Sequence, residues 1–195
     1  MDTARFELTA APHIKGPDST PVIMWAVVKS LIPVVLAAVW YFGPSAVLVI
    51  AAATLGCFLV ERFFGEGGTL GDGSAAITGI LLGLTLPPGI PLWMAFLGGA
   101  FAIGFGKLLF GGLGQNPFNP ALVGRAVMQA TFPVAMTTWL PAFAAGRFSG
   151  LPGSLLTLPF TQPTYDAATQ ATPLALWKFG REATGAADLA LGFVG

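Results

Sequence analysis

Two Asn-Pro pairs, Asn116-Pro117 and Asn119-Pro120, stand three residues apart between two long uncharged runs. Each proline lacks a backbone N–H and disfavours helical geometry in the residue before it, so the two pairs cannot both lie inside one regular helix. The stretch 111–124, GGLGQNPFNPALVG, is therefore a break set into apolar sequence. Asn119 reads as a helix N-cap with Pro120 at the first helical position, and Ala121–Met128 continues as a helix whose positive end points back into the break. At membrane depth, freed backbone groups are tolerated only where protein or a cavity satisfies them. The break is thus expected to line a site rather than face lipid.

That expectation needs a membrane, and the composition supplies one. Only 9% of the 195 residues are charged and 54% are hydrophobic, against about 25% charged in an ordinary soluble domain. The chain reads as an integral membrane protein. Nine basic and nine acidic residues cancel, so no global field argues for a nucleic-acid or acidic partner. The single cysteine, Cys57, excludes an internal disulfide and reads as a small buried hydrophobe. The first twenty residues lack an apolar core of the signal-peptide kind, so the first membrane segment is expected to carry the targeting information.

Taken in order, residues 1–20 form a polar, proline-interrupted cytoplasmic arm, and 21–139 a transmembrane helical bundle of about five apolar segments. Val22–Phe42 is long enough to span, with Lys29 about two turns from its start. Gly43-Pro44 is the turn to a second span, Pro44–Val60, which Glu61-Arg62 closes at the membrane surface. Pro87-Pro88-Gly89 divides the following uncharged run. Its first piece, Ser74–Leu86, would be about 20 Å long as a helix, short of a crossing, and reads as a half-helix or as a span in a locally crowded bundle. The second piece, Pro91–Phe110, spans; its small residues allow close helix approach, and Lys107 marks its far end. The helix after the break runs from Asn119 to about Met136 and carries Arg125. Residues 140–182 read as an external loop, and 183–195 as the start of a further membrane segment. Arg5, Lys15, Arg62 and Lys107 fall on one side if the amino terminus is cytoplasmic, which leaves Arg147, Lys178 and Arg181 outside.

Ordinary active-site chemistry is missing from this pattern. One His, one Cys and no carboxylate pair at ligand spacing give no metal site, and His13 in the polar arm has no nucleophile to serve. No residue is assigned a catalytic role. The glycines of GEGGTLGDG lack a P-loop lysine and read as a connection between helices. Asp72 reads as a helix-initiating acid ahead of Ser74 rather than as a proton carrier, the other reading of a lone acid there. The stretch Asp166–Leu174 has no chemistry that spacing alone reveals.

Several blocks together resemble one family. APHI at 11–14, Met24, DGSAAITGILLGLTLPPGIPLW at 72–93, GKLLFGGLGQNPFNPALVGR at 106–125 and DAATQATPL at 166–174 stand in the order found in the D subunit of the Rnf complex. That complex is an ion-translocating ferredoxin:NAD oxidoreductase, or electron transport complex. The related B subunit of the sodium-translocating NADH:quinone reductase shares the middle and last blocks. The resemblance implies an electron-carrying subunit of the bacterial inner membrane, multi-pass with a cytoplasmic amino terminus, working with the other Rnf subunits and coupled to Na+ or H+ transport.

It further implies FMN joined through its phosphate to Thr172, which closes a motif reading Thr169-Gln170-Ala171-Thr172. Gln170 stands where the stricter motif has Gly. Asp166, Thr169 and Ala171 belong to the same attachment segment, and a flavin transferase would be the maturation partner. The implied fold is all-α: a polytopic helical bundle with broken and half helices, similar to one repeat of the inverted-repeat, urea-transporter-like architecture. The chain then looks like the amino-terminal part of such a protein. A second, noncovalent riboflavin is also implied, with Asn116, Asn119 and Arg125 as lining candidates beside their plainer roles in capping the break.

Two other readings start from the same residues. Broken helices and the Asn119-Pro120-Ala121 triplet also suit a flavin-free transporter or channel, although water channels need two such triplets and this chain has one. A flavin-free structural subunit is the other, with Gln170 as its main support.

Overall fold

The computed structural model of the chain describes residues 19–65, 69–144, 146–159 and 161. Among the described residues six helices follow one another: α1 (Thr20–Phe42), α2 (Pro44–Phe64), α3 (Ser74–Thr85), α4 (Leu92–Gly106), α5 (Pro120–Thr131) and α6 (Pro133–Thr137). Short 3-10 turns lie at Thr69–Asp72, Leu108–Phe110 and Gly153–Leu156. No strand occurs among the described residues. Thr20–Phe42, Pro44–Phe64 and Leu92–Phe110 are long and apolar enough to cross a membrane. The fold is a polytopic helical bundle, as the hydrophobic runs require.

α2 and α4 form the centre because small residues let their backbones touch. A Cβ on Gly56 would collide with the Phe96 carbonyl, and one on Gly99 with the Ala53 carbonyl. Cys57 fits the same seam, its Sγ 3.4 Å from the Gly99 carbonyl oxygen. In lipid, where hydrophobicity does not drive helices together, such close van der Waals approach is a main source of association. α3 and α5 pack on either side, and Val49, Ala53, Leu82, Met94, Ala102 and Met128 make the core they share. α1 stands at the edge with none of its residues buried. Its start is held by the Trp25 indole N–H donating to Gly71 O at 3.1 Å. Its end is held by Tyr41 O, which accepts from Phe143 N at 2.9 Å.

The half-helix reading of 74–86 is matched by α3, which stops at Thr85 inside the protein. Residues 86–91, non-helical and all buried, carry the chain into α4. Irregular backbone at such depth needs cover, and the 139–157 segment supplies it: Ser154 Oγ donates to Gly89 O at 2.7 Å, and Leu140 lies over Gly89. The expected helix from Asn119 to about Met136 is instead two helices. Pro133 offers no N–H and drives Phe132 out of helical geometry (φ −129, ψ 59), so α5 ends at Thr131 and α6 begins anew. α4 likewise ends at Gly106 rather than Phe110, at Lys107 with φ −124 and ψ −60.

The expectation that Glu61 closes α2 at the surface is corrected. Arg62 is exposed, but Glu61 is 1% and Lys107 2% exposed. Lys107 Nζ lies 2.6 Å from Glu61 Oε1 and 2.6 Å from Ser74 Oγ. It is also 4.0 Å from Asp72 Oδ2. α2 and α4 run parallel, so Glu61 and Lys107, each at the carboxyl end of its helix, meet at the same end of the bundle, where each offsets the other's desolvation. Both the glycine seam and the buried pair set stability. Gly99→Leu should lower it by about 1–3 kcal/mol or more through overpacking, read as a lower thermal midpoint in detergent. Lys107→Met should cost about 3–5 kcal/mol by stranding the Glu61 charge, and the Glu61→Leu/Lys107→Met double variant should recover most of it.

Candidate functional site

Two polar constellations interrupt the apolar bundle. The first is the break between α4 and α5. Gly111, Gly112 and Gly114 take φ of 101, 101 and 90, the left-handed region that glycine adopts without strain. Asn116 ties the loop to itself: its Oδ1 accepts from Gly114 N at 3.3 Å and its Nδ2 donates to Phe118 O at 3.0 Å. Asn119 caps α5, its Oδ1 accepting from Ala121 N at 3.0 Å with Pro120 in the first turn. That cap was legible from the Asn-Pro dipeptide alone. Gly106 faces Pro120 closely enough that a Cβ would strike it, so the end of α4 abuts the start of α5.

Arg125, about a turn and a half into α5, serves a different helix. Its guanidinium donates to Thr85 O at the carboxyl end of α3, 40 residues away in sequence. A cation at the negative end of a helix offsets both an orphan carbonyl and the dipole. Asn116, Asn119 and Arg125 are therefore not drawn together by any described hydrogen bond: the asparagines hold the break and Arg125 holds the half-helix. Asn119 is exposed, and Asn116 and Arg125 are half-buried, so each keeps surface toward whatever lies against α5. These residue types, amide and guanidinium, are chemically able to hydrogen-bond the carbonyls and ring nitrogens of a flavin.

The second constellation is the buried cluster at the far ends of α2 and α4, which sequence reading missed. Asp72 does initiate α3 as expected, accepting from Ser74 N at 2.8 Å, and it also faces Lys107. Ser74 gives the start of α3 a hydroxyl that accepts from Lys107. Glu61 Oε2 is buried with no hydrogen-bond partner among the described residues. Glu61, Lys107 and Asp72 place three ionisable groups around one point inside the protein. Such a group of charges can hold or hand on a proton or cation. The signal that could have found it is a lone acid and a lone base, each at the carboxyl end of an apolar segment, with one short segment between them that returns the chain so that the two run parallel. Among the described residues, no group of three His, Cys, Asp or Glu is placed to hold a metal.

Asp166, Thr169, Ala171 and Thr172 lie outside the described residues, as do the 11–14 block, His13, Lys178 and Arg181. The described chain leading toward them, from Trp139 to Thr157, covers the end of the bundle opposite the Glu61–Lys107 cluster. There it contacts Tyr41, Gly43 and Gly89.

This combination of spans, half-helix and Asn-Pro break has relatives among known proteins. A family described as NQR2, RnfD, RnfE matches residues 7–195. The chain is 41% identical over 190 residues to the D subunit of an ion-translocating oxidoreductase complex of Yersinia enterocolitica, covering 88% of this chain and 54% of that protein. It is 39% identical over 177 residues to the D subunit of the proton-translocating ferredoxin:NAD(+) oxidoreductase complex of Clostridium ljungdahlii, covering 89% and 48%. The D subunit of an ion-translocating oxidoreductase complex of Pseudomonas aeruginosa is 39% identical over 180 residues, with 89% and 52% covered. The chain spans about half the length of these relatives. It belongs to the NQR2, RnfD, RnfE family of membrane proteins.

Proposed function

We propose that this chain is part of a membrane subunit of an Rnf-type, ion-translocating ferredoxin:NAD oxidoreductase, carrying FMN covalently on Thr172. The observation that carries the reading is the family match over residues 7–195, which includes the whole 166–174 segment. The names of the relatives, which specify an ion-translocating oxidoreductase and in one case a proton-translocating ferredoxin:NAD(+) oxidoreductase, supply the activity. The protein sits in the bacterial inner membrane with its amino terminus cytoplasmic, beside the other subunits of the complex.

Residue chemistry is consistent with that assignment. A flavin transferase would make the phosphoester by transferring FMN from a flavin adenine dinucleotide: the Thr172 hydroxyl oxygen attacks the FMN-side phosphorus, the pyrophosphate P–O bond breaks, AMP leaves, and the hydroxyl proton passes to solvent. Once attached, a flavin accepts and gives up one or two electrons, while the protein fixes its position and electrostatics. Asp166, Thr169 and Ala171 flank Thr172 on the attachment segment. Asn116, Asn119 and Arg125 could hold a second flavin, riboflavin, against α5, since each keeps exposed surface there. Glu61, Lys107 and Asp72 are ionisable groups that this chain could lend to Na+ or H+ movement.

The test is in-gel flavin fluorescence and intact mass of the full-length protein expressed in membranes with a flavin transferase. The native chain should carry a fluorescent adduct with the mass of FMN less water, surviving denaturation, and Thr172→Ala should lose it completely. A native chain without adduct in the presence of an active transferase would overturn the Thr172 assignment and favour a flavin-free transporter or structural subunit.

A further inference from the structure

We infer that the end of the bundle near Arg147 binds an anionic phospholipid, its acyl chain in the apolar crevice between α1 and the α2–α3 pair and its phosphate on the Arg147 guanidinium. The crevice measures about 110 Å³ and is lined by Val34 and Ala38 of α1, Ala46 and Ile50 of α2, Gly83 of α3, and Pro88. It exists because α1 stands off the bundle with no buried residue, and because Ala37, Ala38, Ala46 and Gly83 leave space between the larger Ile50, Leu84 and Leu86. Its lining carries no charged residue, so its occupant is a hydrocarbon. Phe42 and Trp139 also line it, with ring centroids 6.4 Å apart, and Phe42 adjoins Gly43, against which the Arg147 backbone packs.

Arg147 supplies the charge complement. Its Nε donates to Trp40 O at 3.0 Å, which fixes it to the carboxyl end of α1. Its guanidinium carbon lies 5.3 Å from the Phe143 ring centroid and 4.8 Å from that of Phe148. Among the described residues it makes no salt bridge, and none of them places an acid at this end of the bundle. The terminal guanidinium nitrogens have no hydrogen-bond partner among the described residues. The Phe143 and Phe148 rings flank it, Tyr41 packs on Phe143 with ring centroids 4.8 Å apart, and Trp40 and Tyr41 at the end of α1 are residues of the kind that settle at headgroup depth. A guanidinium held on its inner edge presents two donors outward, the geometry that grips a phosphate in a bidentate way. A cation with no described acid beside it favours a lipid with net negative charge over a zwitterionic one. The bound chain would wedge α1 against α2 and α3, which otherwise hold it by its ends.

The experiment uses the full-length protein in its complex, purified in mild detergent and exposed to phosphatidylglycerol carrying a photoreactive group on its acyl chain. Labelled peptides should map to Val34–Phe42 and Gly83–Pro88. Labelling should fall at least tenfold in Arg147→Gln, return in Arg147→Lys, and resist competition by excess inorganic phosphate. A phosphatidylcholine probe should label these peptides at least tenfold less. Equal labelling by the two lipids, or unchanged labelling in Arg147→Gln, would overturn the inference. So would label found only elsewhere, which would mean that another protein segment fills the crevice. Thermal midpoints of each variant with and without added phosphatidylglycerol separate loss of binding from loss of folding: a folded Arg147→Gln should show no lipid-dependent shift.

Discussion

The structure depends on one constraint: a helix that stops inside an apolar medium must find partners for its end groups within the protein. α3 stops at Thr85, and Arg125 accounts for the exposed carbonyl there. The buried connection after it turns on Gly89, whose carbonyl is taken by Ser154. α5 starts at Pro120, and Asn119 accepts the first free N–H. Each of these three sites therefore has its own donor or acceptor, drawn from another part of the chain when the local sequence has none.

The same constraint explains which features could be read in advance. The spans, the half-helix at 74–86 and the Asn119 cap rest on signals within a few residues, namely hydrophobic length and the chemistry of proline and asparagine. The break of α5 at Phe132 also had a local signal in Pro133, the same one that marks Pro120. It was hidden because a proline can either open a helix or end one, and the apolar run continued past it. The Glu61–Lys107 pair and the Arg125–Thr85 contact join residues 46 and 40 positions apart. Nothing in either neighbourhood distinguishes a buried ion from one at the membrane surface. Only the parallel arrangement of α2 and α4, fixed by the Gly56 and Gly99 approach, decides it.

The two ends of the bundle are chemically unlike. At one, an acid and a base are sealed among the beginnings and ends of α2, α3 and α4, where removing either partner would leave a buried charge. At the other, an arginine sits among aromatic rings with no described acid beside it, and the chain runs on toward residues 166–174. The ionisable groups at the first end are thus governed by the helices that bury them, and the arginine at the second by its aromatic neighbours.

The buried turn at Gly89 has a consequence for biogenesis. α3 cannot rest stably in a bilayer by itself, because it is short of a crossing and ends on carbonyls that lipid cannot satisfy. Its two partners are made later: Arg125 follows Thr85 by 40 residues and Ser154 follows Gly89 by 65. At about 5–20 residues per second of synthesis, the Gly89 carbonyl waits roughly 3–13 s for its donor. During that interval the 74–91 segment has to shelter in the insertion machinery or against α2. The α1–α2 hairpin, complete and fully helical, can leave first and form the surface on which the remainder of the bundle assembles.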